Sequence, residues 1–119
     1  MADEVTQAVD RYYAAWDSGD FEGLTQLLTE DFQFRGPMGD ADGAAAFVEQ
    51  IRRNAPMFGT VTFADVRRLV DGQRVVSLYT FAAGPARVPM AEAFEMRGDR
   101  ISRIDLYFDP TPLVRGGAA

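Results

Sequence analysis

The sequence predicts a single α+β domain in which three helices precede an antiparallel meander packed on one face by those helices. Two observations carry this. Apolar residues recur at helical spacing through the first half of the chain, whereas from residue 60 onward they alternate with period two. The turns "DGQ", "AGPA" and "GD" then fall at hairpin spacing between the alternating runs. With 119 residues, 47% of them hydrophobic, the chain suits one compact domain of the usual ~100–150 residues.

Val5, Val9, Tyr12, Tyr13 and Trp16 share one side of a helix over residues 2–17. "DSGD" breaks it, and Asp20 is placed to cap a second, short helix that buries Phe21, Leu24, Leu27 and Leu28. "DFQF" reads as a short strand stopped by "GPMGD". Asp42 is expected to cap a third helix over 43–53, with Ala46, Phe47, Gln50 and Ile51 along one side, and "NAPMFG" to end it. Strands follow at 60–70, 74–83, 87–97 and 100–108. In the last, Ser102, Ile104, Leu106 and Phe108 point one way and Arg103, Asp105 and Tyr107 the other. The domain is expected to span 1–112, with a frayed tail over 113–119. No repeat, linker or second domain is visible.

Absent residue types bound the chemistry. The chain has no Cys and no His, and every basic residue is Arg. Thiol and imidazole catalysis, disulfides and Schiff-base lysines are excluded, so acid–base work falls to Asp, Glu or Tyr. No metal-binding motif is visible, and neither a metal nor a cofactor is expected. A net charge of −6 argues against nucleic acid as a partner. No apolar run approaches the ~20 residues of a membrane span, and the acidic N-terminus lacks a signal-peptide pattern. A cytoplasmic location away from membranes is expected.

One acid stands out. In "VPMAEAFEM" every second residue gives the face Val88, Met90, Glu92, Phe94 and Met96, a single carboxylic acid in an apolar stripe. Two readings stay open. A strand edge or a bulge would turn Glu92 into water. A pocket between sheet and helices would desolvate it, raise its pKa by up to ~3–5 units and keep it protonated. A protonated acid can donate a hydrogen bond to a developing oxyanion. Its available partners are Tyr12 or Tyr13 on the first helix and Tyr79 on the neighbouring strand.

The stretch "RYYAAWDSGDFEGLTQLLTEDFQFRGPMG", followed by an Ala-rich helix and closed by "RISRIDLYFDP", resembles the ketosteroid isomerases of the nuclear-transport-factor-2-like, or SnoaL-like, superfamily. The resemblance runs from about Val5 to Pro112 and rests on the order and spacing of motifs. It implies a cone: a curved antiparallel sheet wrapped around three helices, an apolar pocket inside, and a homodimer through the outer sheet face. The family's oxyanion-hole tyrosine lies in an Arg-Tyr pair, here Arg11-Tyr12. Its second donor is a protonated acid two residues before a Phe, here Glu92 before Phe94. Such isomerases are a known case of a carboxylic acid kept neutral by an apolar site. The family uses Asp there, so Glu92 reaches one methylene further.

The third residue departs from the pattern. The family's general base is the Asp of an Asp-Pro-x-Gly loop, and this chain reads Gly36-Pro37-Met38-Gly39. The base position is vacant, through natural loss or as a base-knockout variant. The Arg and Asp pattern of limonene-epoxide-hydrolase-like relatives is missing, and the His of the scytalone-dehydratase type is absent.

The resemblance implies a steroid Δ-isomerase-like protein with Tyr12 and Glu92 as oxyanion donors and Gly36 at the empty base position. Trp16, Met38, Phe47, Tyr79, Phe81, Met90, Phe94, Leu106 and Phe108 would line a pocket for a flat steroid-like or polyketide-like molecule. A non-catalytic binder of such molecules and a SnoaL-like cyclase or hydrolase remain the alternatives. The outer face of Arg87, Ala91, Ala93, Glu95, Arg103, Asp105 and Tyr107 suits a two-fold interface.

Overall fold

The computed structural model describes residues 2–113. Its elements are α1 (Ala2–Ser18), α2 (Phe21–Gln26), β1 (Leu28–Arg35), β2 (Ala41–Asp42), α3 (Ala44–Phe58), β3 (Val61–Asp71), β4 (Arg74–Ala83), β5 (Ala86–Arg97) and β6 (Arg100–Tyr107). The strands form one curved sheet in the order β2-β1-β6-β5-β4-β3. Three helices and the sheet stand as the sequence predicts, but the strand pairing differs. β3 to β6 pair as an antiparallel meander, but β1 runs parallel to β6, so the sheet is mixed. Periodicity shows which residues form strands and not which distant strand each will meet. A parallel pair needs a long crossover, and here everything from β2 to β5 lies between the two partners.

Asp20 caps α2 as expected, accepting from Gly23 N at 2.9 Å. Asp42 does not cap α3. It belongs to β2, opposite Gln33, and pairs with Arg35 at 2.9 Å. The N-cap is Gly43 at φ 96, a conformation that glycine adopts without steric cost. Its N–H is taken by Phe32 O at 2.6 Å. Nor does "NAPMFG" end α3, which runs on through Pro56 to Phe58. Proline in the last turn removes only one intrahelical bond, so the helix tolerates it there. Those extra residues bring Asn54 and Phe58 onto the site.

Register shifts bend the sheet at three places among the described residues, the first between Leu28 and Gln33 in the β1–β6 pair and the other two in the meander. One, at Asp65 (φ 56), lies between Ala64 and Arg67 of β3. The other shifts the β5–β6 register between Glu95 and Met96. There Ser102 is the extra residue, its hydroxyl donating to Glu95 O at 3.1 Å. Simple alternation breaks at that point, and Ile101 joins Ile104 in the interior while Ser102 does not.

The interior falls into two parts. Val9, Leu24, Leu28, Phe32, Phe47, Val75, Phe94, Ile101 and Ile104 pack into one continuous core under α1 and α3. Tyr79, Phe81, Val88, Met90 and Leu113 form a second cluster, flanked by Phe58, Phe63, Leu106 and Phe108. Leu113 is therefore packed rather than frayed: a helical turn at 111–113 buries it. The remainder of the expected tail, 114–119, lies outside the described residues. Among the described residues no helix is long and apolar enough to cross a membrane.

Candidate functional site

Around the second cluster the sheet curls away from the helices and leaves a cavity of about 130 Å³. Its walls come from α1 (Tyr12, Tyr13, Trp16), α3 (Phe47, Gln50, Ile51, Asn54, Phe58), the sheet (Phe63, Tyr79, Phe81, Met90, Glu92, Leu106) and the loop at residues 36–39.

Glu92 lies in this wall and is only 3% exposed. Alternation along β5 holds, so Val88, Met90, Glu92, Phe94 and Met96 all face inward and are buried. Of the two open readings, the structure selects the pocket. Two phenols meet the acid. Tyr13 Oη donates to Glu92 Oε1 at 2.7 Å and Tyr79 Oη donates to the same atom at 2.9 Å. With Oε1 accepting twice, the proton of the neutral acid belongs on Oε2.

Burial raises the Glu92 pKa from 4.5 to about 7, and the hydrogen bonds from Tyr13 and Tyr79 hold it from rising further. Burial, and then the charge on Glu92, push both those phenols well above their ordinary range, so they remain donors at any working pH. Arg68 of β3 acts the other way on Tyr13: its guanidinium lies 5.6 Å from the ring centroid and pairs with Asp10 of α1. Ser77, opposite Glu92 in the β4–β5 register, is fully buried. It sits close enough to favour an ionised Tyr13, but its hydroxyl makes no hydrogen bond.

The phenol that joins Glu92 is thus Tyr13, not Tyr12. Tyr12 touches the cavity but is 2% exposed. Its ring packs edge-on against Tyr13 and Phe94, each at 5.4 Å between centroids. Adjacent helical residues point about 100° apart, so the rotation of α1 about its axis against the sheet chooses between them. Phe94 is also corrected: it belongs to the continuous core and does not line the cavity. Trp16, Phe47, Tyr79, Phe81, Met90, Leu106 and Phe108 do line it, and Met38, 47% exposed, stands at the rim.

Gly36 reaches the cavity too, and its missing side chain has a structural counterpart. A Cβ there would meet Phe34 Cζ at 3.0 Å and Cε2 at 3.1 Å. The Phe34 ring, 4.8 Å from Phe47, occupies the space beside the loop. Asp40 faces outward, accepting from Gly36 N at 3.3 Å and lying 3.9 Å from Arg35.

Sequence reasoning passed over Phe63 and Asn54, and it placed Gln50 only on a helix face. Alternation along the third strand could have found Phe63, which pairs with Phe81 and packs against Tyr13. Asn54 needed the true end of α3. Among the described residues no group of three or more acids gathers as a metal site would require.

The SnoaL-like domain matches this chain over residues 9–104. The chain belongs to the SnoaL-like family. Similar folds include TerC, co-crystallised with polyporic acid, at 20% identity and a TM-score of 0.84, covering 98% of this chain and 99% of that one. A candidate polyketide cyclase from Xanthomonas campestris gives 20% identity and a TM-score of 0.83, covering 98% of each chain. A candidate ketosteroid isomerase from Kribbella flavida gives 17% and 0.77, covering 91% of this chain and 79% of that one. At such identities these likenesses concern the fold. No curated protein sequence matches the chain.

A titration follows. Between its ordinary value of 4.5 and about 7, Glu92 holds a proton in the folded chain that the unfolded chain has released. Its contribution is fully present below pH 4.5 and is lost as pH rises through about 7. The loss amounts to roughly 3 kcal/mol. Tyr79→Phe removes one donor to the carboxylate, so the pKa should move above 7; carbonyl infrared titration of both proteins reads it.

Proposed function

We propose that this domain binds a flat, mostly apolar molecule bearing a carbonyl or enol oxygen, and that Glu92 donates a proton-bearing hydrogen bond from Oε2 to that oxygen. The observation behind this reading is the double engagement of Oε1 by Tyr13 and Tyr79 in an otherwise apolar cavity. It presents a neutral acid with its proton toward the ligand. The reaction such a donor favours is proton movement next to a carbonyl, as in double-bond isomerisation of an enone, because it stabilises the enolate oxygen that develops. With Gly36 at the base position, water takes the proton from the α-carbon and returns it to the γ-carbon. The resemblance gave Tyr12 the part of an oxyanion donor beside Glu92; in this reading Tyr13 and Tyr79 instead hold Glu92 Oε1. The family membership and the fold shared with isomerase-type and cyclase-type proteins agree with this. TerC, co-crystallised with polyporic acid, is similar in fold.

A second reading is favoured by Gly36 and Phe34. The family's base is absent and an aromatic ring stands beside its place, which suits a binder that performs no turnover. The test is isomerisation of a β,γ-unsaturated ketosteroid and of a β,γ-unsaturated cyclohexenone, followed by conjugated-enone absorbance, with phenol binding measured in parallel. Turnover that declines above about pH 7, as Glu92 ionises, supports the isomerase reading. Binding without turnover supports the binder.

We also propose a homodimer through the outer sheet face. Leu78 pairs with Ala91, Ala91 with Tyr107, and Val76 with Ala93. Leu69, opposite Val76, is 66% exposed and Tyr107 63%. The middle of that face is more apolar than its Arg and Asp residues suggested, with the Arg103–Asp105 pair (2.9 Å) beside it. Light scattering at micromolar concentration should give twice the chain mass; a monomer mass removes the proposal.

A further inference from the structure

The cavity carries a second polar group besides the acid. Gln50 projects from the middle of α3, and its carboxamide oxygen is buried with no hydrogen-bond partner. Asn54 follows it one turn later on the same lining face. The loop opposite is built to approach that amide. Gly39 sits at φ 143, and a Cβ there would lie 3.0 Å from Gln50 Nε2. Only glycine brings the backbone so close without displacing the side chain. That oxygen is closed to water as it stands, so a ligand meets it by turning the terminal amide about its soft last torsion. An orphaned acceptor is costly, and the turn is favourable when the ligand supplies the donor.

Size supplies the other constraint. A cavity of about 130 Å³ belongs to the class that encloses one benzene-sized ring, since an engineered apolar cavity of about 150 Å³ takes up benzene. A second ring can extend past Met38, which is exposed at the rim. A four-ring skeleton would have most of its surface outside.

We propose that the ligand is a one- or two-ring compound with oxygens at two separate points, one met by Glu92 and the other a hydroxyl donating to the Gln50 carboxamide. This rests on the role given to Glu92 above and narrows it. The acid takes the oxygen at which charge develops, and Gln50 sets which way round the ring system lies. Gln50 is thus a specificity-determining residue: it never exchanges a proton, and it rejects ligands that cannot satisfy its oxygen.

Fluorescence binding at about pH 6, below the Glu92 pKa of about 7, compares a naphthol with the dihydroxynaphthalene isomers and with a four-ring steroidal phenol. At least one diol should bind about tenfold more tightly than the naphthol, as a hydrogen bond to a buried acceptor allows. Gln50→Leu should abolish that advantage and leave naphthol affinity within a few-fold. The steroidal phenol should bind no more tightly than the naphthol. The inference is overturned if no diol gains in the unaltered protein, if the gain persists in Gln50→Leu, or if the four-ring phenol binds best. The unaltered protein alone decides the first and third points, so a misfolded variant does not rescue the idea. If Glu92→Gln leaves the affinity for every one of these compounds unchanged, or none binds at all, the Glu92 reading fails and takes this one with it. Naphthol binding that depends on Glu92, with no diol preference, removes the Gln50 assignment alone.

Discussion

Glu92→Gln should lower enone isomerisation by up to about 10²–10³-fold, the range associated with loss of an oxyanion donor, while the fold survives. The amide matches the acid in shape. Its oxygen can accept from Tyr13 and Tyr79 as Oε1 does, and its NH₂ faces the ligand where the acid's O–H did. The buried hydrogen bonds stay satisfied, so the usual cost of an orphaned donor does not arise. What disappears is the acidic O–H, a stronger donor to the ligand oxygen than an amide N–H, together with its titration. The variant should also lose the fall in stability between pH 4.5 and about 7 that the Glu92 titration causes. Turnover at several pH values, together with thermal unfolding, reads both effects. An unchanged rate in Glu92→Gln removes Glu92 from the chemistry.

The second large effect concerns the vacant base. Gly36→Asp should raise isomerisation by about 10²-fold if the remaining site is aligned for that reaction. The backbone is no obstacle, because the residue before Pro37 is held to extended conformations that Asp adopts readily. The obstacle is Phe34, whose ring atoms would lie 3.0 and 3.1 Å from the new Cβ. That is tight enough to require the ring to shift against Phe47. The single variant should therefore gain less than Gly36→Asp combined with Phe34→Leu, which opens the space. Enone absorbance measures the gain, and phenol binding confirms that the pocket is intact. A folded, ligand-binding double variant without added turnover would sink the isomerase reading in favour of a binder.

Much of this was legible because periodicity reports burial directly. Val5, Val9, Tyr12, Tyr13 and Trp16 could be assigned to one helix face, and Val88, Met90, Glu92, Phe94 and Met96 to one sheet face, since 3.6 and 2.0 residues per repeat decide which side chains share a side. The lone acid in that stripe was visible in the same way, whereas Gly36 stood out only through the family resemblance. Misreadings arose where local rules compete. Asp42 is a good helix cap by type, but its pairing with Arg35 and its place in β2 prevailed. Pro56 reads as a helix end, yet the last turn tolerates it.

The sequence by itself determined the inventory: three helices ahead of a meander, no imidazole or thiol, and one acid set among apolar neighbours. Tertiary structure alone decided the partners. That β1 lies parallel to β6, that Tyr13 rather than Tyr12 reaches Glu92, and that Gln50 opens into the same cavity all depend on how far elements distant in the chain slide and turn against one another. The reason is physical. Alternation and helical spacing are properties of a few consecutive residues, whereas a hydrogen bond between positions 13 and 92 depends on angstrom-scale docking of α1 on the sheet. A rotation by one residue of the helix exchanges one phenol for the other.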